Sequence, residues 1–88
     1  MKINKKLDYN TELMVITMEE CGELIEACSK AIRCEDYYDN ARLLEELGDV
    51  QCMIELILDN DLARWEDIRD RIIVKKEKLK KYTNLFND

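Results

Sequence analysis

Glu20 and Glu46 each stand in the middle of a helical stripe that is otherwise apolar, and few folds tolerate that. An α-helix turns by about 100° per residue, so residues three and four apart share a face. Within about 40° of Glu20 on such a wheel lie Leu13, Ile16, Leu24, Ala27 and Ala31. Around Glu46 lie Val50, Met53 and Ile57, with Arg42 near the helix start, where it reaches solvent. Glu23 shares a face with Glu20, and Asp49 with Glu46. A bare carboxylate buried in apolar surroundings is strongly destabilising, and a fold does not accept this twice without compensation. Packing the two stripes together puts four carboxylates in one pocket. With no histidine in the chain, a hard divalent cation such as Mg²⁺ or Mn²⁺ is the natural counter-charge.

Everything else in the chain points to helices. There is no proline, there are only two glycines in 88 residues, and Leu, Ile, Glu and Lys abound. A chain of this length is expected to form one domain over residues 1–88. It buries only about 60% of its unfolded surface, so metal or oligomerisation is expected to support it. Charge interrupts every apolar run before membrane-spanning length, and the basic N-terminus MKINKKLDYN has no apolar region of the kind a signal peptide needs. The expected location is therefore the cytoplasm, with no membrane partner. The net charge of −6 speaks against general binding of nucleic-acid backbone. Between Arg64 and Lys81, however, the chain carries three arginines and five lysines, a local basic helix suited to a phosphorylated small molecule.

Three helices are predicted. The first starts at an N-cap of Asn10 or Thr11 and runs to Arg33. It bears a second apolar stripe, Met14, Met18, Ile25 and Ile32, and so has two sides to cover. Gly22 within it allows a backbone or ligand to approach beside the carboxylates. A polar connection with Tyr37 and Tyr38 leads to a second helix, capped by Asp39 or Asn40 and ending near Leu58. Asp59, Asn60 and Asp61 read as a turn. The third helix then runs from Leu62 or Ala63 to Tyr82, with Trp65, Ile68, Ile72, Leu79 and Tyr82 as its stripe and Trp65 in the core. Residues 83–88 are expected to fray. Cys21, Cys28, Cys34 and Cys52 form no CxxC pair and are expected to be small buried hydrophobes, with a zinc site as the alternative.

The two carboxylate pairs, ExxE at Glu20–Glu23 within MEECGELIEA and ExxD at Glu46–Asp49 within LLEELGDVQ, resemble the hallmark of the MazG-like, all-α nucleotide pyrophosphohydrolase superfamily. The likeness covers about residues 10–82. It implies a helical bundle of about three helices per subunit, completed by assembly to a homodimer or homotetramer. It implies a nucleoside triphosphate substrate, hydrolysed to the monophosphate and pyrophosphate. It also implies Mg²⁺ held by Glu20, Glu23, Glu46 and Asp49, which would then carry the catalysis. Lys30 stands where the family often has a lysine, and Lys76 and Lys80 on the last helix are its further candidates for phosphate contact. One motif carboxylate, or Glu19 beside them, accepts the proton of the attacking water. Beside these readings stand plainer ones. Lys30 pairs with Glu26 four residues earlier, and Glu19, Glu26, Glu45 and Glu55 are solvated helix surface. The whole chain is a non-catalytic dimerisation module in that reading. A di-iron carboxylate bundle is disfavoured because it needs Glu-x-x-His pairs.

Overall fold

The computed structural model describes residues 7–34 and 41–86, which form three α-helices and, among the described residues, no strand. They are α1 (Tyr9–Cys34), α2 (Ala41–Asp59) and α3 (Trp65–Tyr82). The expected connection with Tyr37 and Tyr38, and the expected caps Asp39 and Asn40, lie outside the described residues. The chain divides into two compact units, one ending at Ile57 and the other beginning at Leu58.

In the first unit, α1 begins earlier than Asn10 or Thr11 would have it. The cap is Asp8: its Oδ1 accepts the Thr11 backbone N–H at 2.9 Å, and its Oδ2 accepts the Thr11 hydroxyl at 2.9 Å. The Asp8 carbonyl accepts the Glu12 N–H at 3.0 Å. A carboxylate in that position satisfies orphan donors and meets the positive end of the helix. The Thr11 bonds accordingly hold the Asp8 carboxyl below its ordinary value. Inside, Leu13, Ala27, Ala31 and Met53 form the core, and Glu46 is buried among the apolar residues of α2. Ala27 and Ala31 are almost fully enclosed, which lets backbone approach closely where the stripe is narrowest. The second stripe of α1 stays outside: Met18, Ile25 and Ile32 are 67%, 70% and 65% exposed.

In the second unit, Asp61 takes the left-handed conformation (φ 57°), and its N–H donates to Leu58 O at 3.0 Å. That turn closes the end of α2 at the residues expected to form one. Arg64 is still extended (φ −112°, ψ 141°), so α3 starts at Trp65 rather than Leu62 or Ala63. The Arg64 carbonyl accepts the N–H groups of Asp67 and Ile68, and its guanidinium donates to the Asp67 carboxylate at 3.2 Å. Glu66 and Asp67 in the first turn, and Lys80 and Lys81 in the last, match the helix dipole. No residue of α3 is buried, and Trp65, expected in the core, is 53% exposed. At its end Thr83 stops the helix: its N–H donates to Leu79 O at 2.9 Å, and its hydroxyl takes the Leu85 N–H at 3.3 Å. Residues 83–86 therefore form a hydrogen-bonded turn where fraying was expected.

The four cysteines are all free and exposed, which overturns their reading as buried hydrophobes. They lie beside the stripes rather than in them, and helical rotation turns them outward. Among the described residues nothing stands close to Gly22 or Gly48: a Cβ on either meets nothing within 4 Å.

Candidate metal centre

α1 and α2 each bring two carboxylates to the same place. Glu20 and Glu23 come from α1, Glu46 and Asp49 from α2, and one oxygen from each lies within 4.8 Å of all the others. The three-residue spacing explains the pairing within each helix. The apolar stripes on which Glu20 and Glu46 sit explain why the two pairs meet.

Burial across the four is graded. Glu46 is 7% exposed, Glu20 and Glu23 are half-buried, and Asp49 is exposed. Glu46 Oε2 and Glu20 Oε2 are both buried without a hydrogen-bond partner. Burial raises the Glu46 carboxyl above its ordinary range, and a hydrogen bond with Glu23 and the charges of Glu23, Asp49 and Glu20 push the same way. Burial likewise raises Glu20, followed by the charges of Glu23, Asp49 and Glu19 and a hydrogen bond with Asp49. Two carboxyl groups hydrogen-bond only when one keeps a proton. Without a cation, then, burial and mutual repulsion favour the protonated forms of Glu46 and Glu20. Two buried oxygens with no donor, in a set made only of carboxylates, fit a hard divalent cation.

Such a site, on two helices of a three-helix chain, invites comparison with known proteins. The MazG nucleotide pyrophosphohydrolase domain matches residues 9–82, from the first residue of α1 to the last of α3. The chain belongs to the MazG family. Its all-α fold and its acidic cluster agree with that membership, and at the level of the family it is a hydrolase acting on nucleotides. No curated protein and no solved structure matches the chain significantly.

The lysines expected at phosphate lie on α1 (Lys30) and on α3 (Lys76 and Lys80). Lys30 does not pair with Glu26. Arg42 takes that carboxylate instead, donating from Nη2 to Glu26 Oε2 at 3.2 Å and tying the start of α2 to α1. Lys30 lines a cavity of about 360 Å³ with Ile25, Glu26, Ser29, Arg33 and Arg42. Arg33 and Arg42 were not singled out for phosphate from sequence. The available signal was that Arg42 stands one turn before Glu46 on the same face. On α3, Lys76 is exposed and Lys80 donates to Glu77 at 2.9 Å. Among the other carboxylates read as solvated surface, Glu55 accepts from Gln51 at 3.4 Å and Glu45 is exposed. No described helix is long and apolar enough to cross a membrane.

Proposed function

We propose that the chain is a Mg²⁺-dependent nucleoside triphosphate pyrophosphohydrolase, with Mn²⁺ as the alternative ion. It converts NTP or dNTP to the monophosphate and pyrophosphate, in the cytoplasm, as a homodimer or homotetramer. The observation that carries this reading is Glu46, a carboxylate 7% exposed with an unpartnered oxygen, placed among three other carboxylates. A purely structural helix pair gains nothing from it, because an apolar side chain of the same size would pack there at lower cost.

Glu20, Glu23, Glu46 and Asp49 would hold the ion. Bound there, Mg²⁺ supplies neutralisation of phosphate oxygens and a more acidic water. Set at fixed positions on two helices, the carboxylates would orient that ion, and one of them, or Glu19, takes the proton of the attacking water. Lys30, with Arg33 and Arg42, offers charge to the phosphate tail. Lys76 and Lys80 on α3 are further candidates for that role. The exposed second stripe of α1 supports the oligomer, since contiguous exposed apolar surface marks an interface.

The test is a panel of NTPs and dNTPs incubated with the purified protein, with Mg²⁺ and with EDTA. Pyrophosphate and monophosphate should appear only with metal. Release of orthophosphate, or no product in any reaction, would overturn the assignment.

A further inference from the structure

A second cavity, of about 200 Å³, lies on the other side of the cluster from Lys30. Its walls are Tyr9, Glu12, Leu13 and Ile16 of α1 and Met53 and Leu56 of α2. Ile16 is four residues before Glu20, and Met53 is four after Asp49. The cavity therefore begins one helical turn from the carboxylates, roughly 6 Å along each helix. Drug-sized ligands occupy about 300–1,000 Å³, so this space suits a single flat ring system rather than a whole nucleotide. Its walls are apolar, and it has an aromatic ring, Tyr9, which is 58% exposed. That combination of apolar walls and a ring to stack on is how proteins hold a base without its backbone. One polar group interrupts the apolar lining, the half-buried carboxylate of Glu12.

We infer that this cavity takes the nucleobase of the substrate, and that Glu12 selects bases carrying an exocyclic amine. The inference rests on reading the acidic cluster as a nucleotide site. An ionised carboxylate only accepts hydrogen bonds. Cytosine and adenine present an amine donor where uracil and thymine present a carbonyl oxygen, and an acidic side chain accepts from the cytosine amine. Uracil would set its oxygen against the Glu12 oxygens. With the base at the Tyr9 end, the phosphate tail crosses the cluster toward Lys30, Arg33 and Arg42, so the two cavities account for opposite ends of one ligand.

CMP and UMP differ at this edge alone, and their affinities in Mg²⁺ can be measured by calorimetry without turnover. The wild-type chain should bind CMP about tenfold or more tightly than UMP. Glu12→Gln should narrow that gap, because an amide both donates and accepts. Ile16→Trp, which fills the cavity, should weaken both nucleotides alike and leave the rise in melting temperature on adding Mg²⁺ unchanged. Equal affinities in the wild type, or a gap that survives Glu12→Gln, would overturn the inference; the latter variant is nearly isosteric and does not threaten folding. A CMP preference without pyrophosphate release from CTP would sink the hydrolase and keep the cavity's role. Pyrophosphate release with no CMP–UMP gap would do the reverse.

Discussion

Glu46 and Glu77 are the same side chain in two regions of one chain, and their carboxyls shift in opposite directions. Glu46 on α2 is buried, has an oxygen with no partner, and is raised by burial and by neighbouring carboxyls. Glu77 on α3 is exposed, accepts a bond from Lys80 at 2.9 Å, and is lowered by that bond and by the lysine's charge. α3 follows the ordinary rules for a surface helix, with its carboxylates and cations in the turns where the dipole favours them. The α1–α2 region breaks those rules at the carboxylate cluster. The difference teaches where to look for function: a fold gives up stability at a site that does something else.

The largest expected effect comes from removing the anomaly. Glu46→Gln keeps the shape and loses the charge, and Glu46→Leu fills the site with an apolar group. Both should cut pyrophosphate release by more than the ~10–100-fold that loss of an outer-shell partner costs. Without metal, Glu46→Leu should melt at or above the wild-type temperature, since replacing a buried ionic group by an apolar one is often neutral or stabilising. Glu77→Leu should leave turnover intact. A Glu46→Leu protein that is destabilised yet hydrolyses nucleotides normally would erase the contrast between the two regions.

A smaller effect separates them by pH. In EDTA, folded Glu46 and Glu20 keep protons that the unfolded chain has already released. Stability should therefore fall as pH rises from the ordinary glutamate value of 4.5 through their raised folded values. Glu77 has the opposite sign: its contribution is present above 4.5 and is lost as pH falls through its lowered folded value. Melting curves in EDTA should show the first slope in the wild type and lose most of it in Glu46→Gln. Saturating Mg²⁺ should flatten it, because a ligand that binds the folded carboxylates stabilises by mass action. A melting temperature in EDTA that stays level or climbs across that window would contradict the raised carboxyls.

The smallest effect concerns the two glycines, which both lie beside cluster carboxylates, while α3 has none. Gly48 has open space where a Cβ would go, so Gly48→Ala should gain about 0.8–1 kcal/mol of helix stability. Chemical denaturation measures that gain. If turnover drops at the same time, the space beside Asp49 is used by the ligand or by another subunit, which would explain why the penalty is confined to the cluster helices.

The helices, the first apolar stripe and the four carboxylates were all legible in the sequence, because each depends on rotation within one helix. Leu13, Ala27, Ala31 and Met53 are buried where the 100° wheel puts them, and Glu46 is buried with them. The tertiary structure alone decided what happens between helices. Glu46 and Asp49 of α2 meet Glu20 and Glu23 of α1, one oxygen of each lying within 4.8 Å of all the others. Glu26 goes to Arg42, sixteen residues away, although Lys30 stands at the favourable spacing along α1. Trp65, which the α3 stripe was expected to bury, is exposed, and so are the cysteines, which lie beside their stripes rather than in them. Both cavities are equally invisible in the sequence, since each is walled by two helices whose relative register no periodicity records. Periodicity fixes an angle about one axis, whereas a hydrogen bond or a cavity between helices needs the distance and offset between two axes, and those are set only when the stripes pack.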